Sequence, residues 1–180
     1  MTTTRASLVP HTTSPAPLVA GLGVQVTLTA SGRLTLHYVL RAPLAGLAIP
    51  PPGPVRFRDE LWRRTCFEAF VRADGDPGYR EFNFAPSREW AAYAFTAQRE
   101  GMRRLDQSAP ALELRRGDER LELTAAVELA GLYDSGWRTL KLGVAAVIED
   151  AAGARSYWAL RHPAERPDFH HPGGFALTLS

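Results

Sequence analysis

Along most of this chain apolar side chains recur at every second residue, a spacing that suits strands, whereas a helix needs them every third or fourth. In the segment 23–30, Val24, Val26 and Leu28 alternate with Gln25, Thr27 and Thr29. After Ser31-Gly32 the alternation resumes through Leu34, Leu36, Tyr38 and Leu40. Two such runs about a short turn predict a β-hairpin. Segments 66–73 and 79–86 flank the turn sequence DGDPG and predict a second hairpin. Segments 111–116 and 120–129, about Gly117-Asp118, predict a third. Further strands are expected over 90–96, 139–150, 155–161 and 175–180, with helix confined to short pieces at 59–63 and 98–104. The proline-rich stretch 42–54 reads as a crossing loop that packs without pairing. About ten strands without intervening long helices predict an all-β fold, an antiparallel β-sandwich in a single domain over 1–180.

A chain of 180 residues can bury a core without staples. It has one cysteine, Cys66, which closes no internal disulfide, and it has no CxxC pair. That points to a reducing compartment. Pro10, Pro15 and Pro17 interrupt the first twenty residues, so no signal peptide is read there, and no stretch reaches the roughly 18 apolar residues of a membrane span. The expectation is a soluble cytoplasmic protein with no membrane partner. The net charge is +2, and acids alternate with bases, as in ELRRGDERLEL. With no basic stripe, nucleic acid is not expected as a partner.

Chemistry-bearing residues gather in four segments: LWRRTCFEAFV at 61–71, YREFNFAPSREWAAYAF at 79–95, SYWALRHP at 156–163 and RPDFHHPGGF at 166–175. On CFEAFVR, Cys66, Glu68 and Phe70 share one face, and on REFNF, Glu81 and Asn83 share one. If the two strands pair across DGDPG, these polar groups line one groove. Glu68 is the odd residue in an apolar strand, where a carboxylate must face solvent, pair with an arginine or serve a site.

These segments, with the early LVPH, resemble the bacterial DOMON-like domains, whose β-sandwich is similar to that of family 9 carbohydrate-binding modules. The resemblance implies a ligand-binding sandwich more strongly than a reaction, since better-known relatives bind sugars or haem. Sugars offer CH-rich faces to aromatic rings and hydroxyls to carboxylate, amide and guanidinium groups. The expected ligand-binding residues are therefore Trp62, Glu68, Glu81, Asn83, Trp90, Trp158, Asp168 and His170, with the tryptophans as a stacking wall or, alternatively, as core.

Haem-binding relatives use Met and His ligands. Here Met102 would have His37, His162, His170 or His171 as partner, but no spacing singles one out, so no cofactor is predicted. His162, His170 and His171 are weak candidates for a metal beside Asp168. An enzyme would need Cys66 with His162 or His170 as a nucleophile pair, or Glu68 with Glu81 as an acid pair. Three readings stay open: a non-catalytic domain for a small ligand, preferably a carbohydrate; an enzyme or accessory protein using the 162–171 loop; and an interaction module.

Overall fold

The computed structural model describes residues 1–129 and 139–180. Thirteen strands occur among them: β1 Thr2–Pro10, β2 Gly21–Leu28, β3 Arg33–Arg41, β4 Arg56–Phe57, β5 Cys66–Ala73, β6 Tyr79–Phe84, β7 Glu89–Phe95, β8 Arg103–Arg104, β9 Ala111–Arg116, β10 Arg120–Glu128, β11 Leu140–Glu149, β12 Arg155–Ala159 and β13 Leu177–Leu179. Helix among the described residues is limited to three 3-10 turns, at Leu44–Gly46, Leu61–Arg63 and Pro172–Gly174. No helix among the described residues is long and apolar enough to cross a membrane.

The strands form one continuous path, β4-β7-β6-β5-β11-β12-β1-β2-β3-β10-β9, with β13 on β11 and β8 on β7. The path curls because β1 changes partner: Thr2 to Leu8 pair with β2, and Val9 and Pro10 pair with Ala159 and Trp158 of β12. Its two halves meet across a common core, where Tyr38 of β3 donates its hydroxyl to the Glu68 carbonyl of β5 at 3.0 Å and packs against Phe67 at a ring distance of 5.0 Å. The expected all-β architecture is present as a curled sheet whose pairings are antiparallel except that β4 runs parallel to β7, so the sheet is mixed.

The expected hairpins form, with Leu28 opposite Leu34 and Glu68 opposite Asn83. The third turn moves by one residue: Gly117 N–H bonds the Arg120 carbonyl, which leaves Asp118-Glu119 at the tip. The 98–104 segment is not helical. Ala97 bridges Glu100, and Arg103–Arg104 pairs with β7, as Arg99 and Gly101 take positive φ angles that no helix tolerates. The 42–54 loop also pairs briefly, Leu47 bridging Asp150.

The two halves differ in how they are covered. Strands β2, β3 and β10 bury alternate residues only. In β5, β6, β7 and β11 nearly every residue is buried, so these strands have cover on both faces. Their inner face carries Phe67, Ala69, Phe82, Phe84 and Trp90 into the main core. Their outer face carries Cys66, Phe70, Tyr79, Tyr93 and Phe95 into a second cluster, against which Trp62 and Phe169 pack. The site lies on this outer face.

Candidate functional site

A cavity of about 350 Å³ opens on the outer face of the β5, β6 and β12 region. Glu68 and Glu81 form its floor, Trp62, Phe95, Tyr157 and Phe169 supply rings to its walls, and Arg99, Met102, Arg155 and His170 complete the lining with Val147 and Pro167. The floor follows from register. Opposed residues of paired antiparallel strands share a face, so the Glu68–Asn83 and Phe70–Glu81 pairs put Glu68 and Glu81 on one diagonal.

Both carboxyl groups are buried, at 2% and 4% exposure. Asn83 is wholly enclosed beneath them and donates Nδ2–H to Glu81 Oε1 at 2.7 Å. Glu68 Oε1 has no hydrogen-bond partner among the described residues. Burial, and then the neighbouring Glu81, push the Glu68 carboxyl well above its ordinary range. Burial likewise pushes Glu81 up to about 7, against the pull of the Asn83 hydrogen bond and the Arg99 charge. The floor therefore holds protons at acidities where exposed carboxylates have lost theirs.

One side of the mouth is a hydrogen-bonded clasp. Asp168 Oδ1 accepts from Arg99 Nη2 at 2.7 Å and from the His170 backbone N–H at 3.1 Å, and its Oδ2 accepts from Gln98 at 3.0 Å. Burial opposes ionisation of Asp168, but Arg99 outweighs it and holds the carboxyl below its usual range. Arg99 has a φ of 59°, and the Tyr79 hydroxyl accepts its backbone N–H at 3.1 Å, which fixes this strained turn. The same hydroxyl is hydrogen-bonded to His170 Nδ1 at 2.6 Å. Its other ring nitrogen, Nε2, lies 3.8 Å from Glu81 Oε2. Burial, and then Arg99, lower the His170 pKa to about 4 against the opposing charge of Asp168, so the ring is neutral near pH 7. Replacing Tyr79 with Phe strips partners from both the Arg99 N–H and His170 Nδ1. Urea denaturation is expected to show a loss of about 1–3 kcal/mol with little change in cavity shape.

The structure brings together four of the expected residues, Trp62, Glu68, Glu81 and His170, with Asn83 supporting the floor. Trp90 and Trp158 are corrected. They point into the main core at 6% and 4% exposure, because the strand period sends them to the opposite face from Tyr93 and Tyr157. Asp168 holds Arg99 rather than lining the cavity.

The three metal candidates are each held apart. The His162 ring bonds the Val9 carbonyl, His170 bonds Tyr79, and His171 Nδ1 accepts from Gly173 N–H. No three His, Cys, Asp or Glu side chains among the described residues are placed to share a metal ion. His37 lies on the other half, bonded to Thr124. Cys66 is enclosed beside Asn83, and burial, then Glu68, raise its thiol pKa, which suits a packed thiol rather than a nucleophile.

The sequence reading missed Phe95, Arg99, Arg155, Tyr157 and Phe169. Strand parity could have found two of them: Phe95 shares a face with Tyr93, and Tyr157 faces away from Trp158. Arg99 and Phe169 sit on loops, where no period operates.

No protein-family model and no curated protein matches the sequence. Among solved structures, the chain is similar to a candidate carbohydrate-binding protein from Bacteroides uniformis, with a TM-score of 0.69 and 18% identity over 97% of this chain and 84% of that one. It is also similar to a family 9 carbohydrate-binding module from Caldicellulosiruptor kristjanssonii in complex with cellotriose, with a TM-score of 0.50 and 8% identity over 85% and 72% of the two chains. At these identities the likeness is one of fold, and the curled β architecture is what this chain shares with both.

Proposed function

We propose that this chain is a carbohydrate-binding β domain that holds a small sugar, non-catalytically, in the cavity above Glu68 and Glu81. The observation that carries the reading is the buried, unpartnered Glu68 Oε1 beneath a cavity walled by aromatic rings. An acceptor left without a donor costs stability, and a ligand hydroxyl supplies the donor. Rings stack on the CH-rich face of the same sugar. A cavity of about 350 Å³ lies at the small end of ligand sites, which favours one or two sugar rings over a long polymer. The fold neighbours, one a candidate for carbohydrate binding and one a family 9 module bound to cellotriose, support the same class of ligand. The motifs shared with DOMON-like domains point to that branch.

Thermal-shift measurements against a panel of mono- and disaccharides test the reading. A ligand at ten times its Kd is expected to raise Tm by about 3–6 °C. Trp62→Ala, which removes one ring from the wall, is expected to weaken binding about tenfold. A panel in which no sugar stabilises the protein, or a Trp62→Ala variant that responds as the wild type does, contradicts it.

A further inference from the structure

The sugar reading leaves one property of the floor unexplained. Neutral hydroxyls satisfy a single carboxylate well, yet here two carboxyl groups lie together out of water, and the groups nearest them are neutral. Glu81 accepts from the Asn83 amide, faces the neutral His170 imidazole at 3.8 Å, and neighbours a Glu68 with an orphaned oxygen. Arg99 is committed to Asp168 at 2.7 Å, and Arg155 donates to the Arg63 carbonyl at the rim, 3.4 Å away. Neither arginine is ion-paired with the floor. The Arg99 charge acts on Glu81 without an ion pair to it, so among the described residues this buried acidic pair has no cation in contact.

We propose that the sugar held here bears a protonated amine, seated between Glu68 and Glu81 with the aromatic walls around it. This rests on the carbohydrate reading and narrows it to amino sugars. Trp62, Phe95, Tyr157 and Phe169 all line the cavity, and ring faces attract an ammonium group. A metal ion suits the floor less well, because no three His, Cys, Asp or Glu side chains among the described residues are placed to share one.

The arrangement also links binding to protons. The ionisable groups around the floor are Cys66 on β5, Tyr38 from across the core, Tyr79 on β6, Tyr93 opposite Glu81 on β7, Arg99 after β7, Arg155 and Tyr157 on β12, and Asp168 and His170 on the tail loop. Beside these, Glu68 and Glu81 lie against the amine and hold carboxyl protons that an ammonium group can displace near neutral pH. An ammonium group docked there favours their ionised form, so amine binding releases a proton, whereas a neutral sugar releases little.

The test is calorimetric titration of the full chain with glucosamine, N-acetylglucosamine and glucose, and with the galacto counterparts, at about pH 6.5 in two buffers of different ionisation enthalpy. In at least one series the free amine is expected to bind about tenfold or more tightly than its acetylated and hydroxyl analogues. Its enthalpy should differ between buffers in the sense of proton release, and Glu68→Gln should remove the preference. Neutral sugars that bind as tightly as their amines, or amine binding without proton release, overturn the inference while leaving the sugar site standing. No binding by any of the compounds overturns both. Because the wild-type proton count decides the matter alone, a Glu68→Gln variant that fails to fold does not shelter the proposal.

Discussion

Glu81→Gln is expected to be about 3 kcal/mol more stable than the wild type at about pH 8 and nearly equal to it at about pH 4, with the difference growing between. The native carboxyl titrates near 7, against an ordinary value of 4.5. A raised carboxylate pKa means that the native state keeps its proton while the unfolded chain loses it, so wild-type stability falls as pH rises from about 4.5 to 7 and then levels off. A displacement of this size corresponds to about 3 kcal/mol. Gln removes that ionisation and retains the Oε1 acceptor for Asn83. His170 works in the opposite sense: its native pKa of about 4 lies below the ordinary 6.5, so its contribution is lost as pH falls through that interval. The wild type combines both slopes, and Glu81→Gln should expose the acid-side loss belonging to His170. Urea denaturation across the pH range measures this, and a Glu81→Gln difference independent of pH would mean that the floor is hydrated and its carboxyls ordinary.

The three tryptophans of the candidate segments should separate cleanly. Trp158→Ala and Trp90→Ala are each expected to cost about 3–5 kcal/mol, since both rings fill the main core between the two halves of the sheet. Trp158 also loses its Nε1–H bond to Ser156 Oγ, 3.0 Å in the native protein. Sugar affinity per folded molecule should be unchanged in both. Trp62 is only partly buried, on a 3-10 turn with its ring edge-on to Tyr93 at 5.8 Å, so Trp62→Ala should cost about 1–2 kcal/mol and act mainly on binding. Denaturation curves beside ligand titrations resolve the two behaviours. Binding lost in Trp158→Ala but kept in Trp62→Ala would move the site to the core side of the sheet.

The strands that could be read were those with strong contrast between faces. In β2, β3 and β10, Val and Leu alternate with Thr, Gln, His and Glu, and each of these strands formed as expected. Strand β1 was missed because its inward positions are Thr2, Thr4, Ala6 and Leu8, too weakly apolar to stand out from Thr3, Arg5 and Ser7, and because nearby prolines argued against regular structure. Pro10 is tolerated where β1 ends against β12. In β5 to β7 the opposite difficulty arises: both faces are apolar, so alternation does not say which one meets the main core. Parity puts Trp90 of β7, and Trp158 of β12, on the main-core side rather than in the groove.

The floor of the site was nonetheless readable. A glutamate inside CFEAFV and a Glu-x-Asn inside REFNF are unusual enough, and the hairpin between them short enough, that their pairing follows from local chemistry, and the register then sets Glu68 opposite Asn83. Sequence alone thus determined the β-rich character of the chain, its hairpins, and the meeting of Glu68, Glu81 and Asn83 on one face. Tertiary structure decided the rest. It curled the sheet through β1, covered the outer face of β5 to β7 with loops, and brought Arg99 to Asp168 and Tyr79 to His170 across separations of 69 and 91 residues. The physical reason is range. Side-chain period and turn chemistry act over a few residues, whereas the burial that turns two glutamates into a proton-holding floor exists only once distant loops have closed over them.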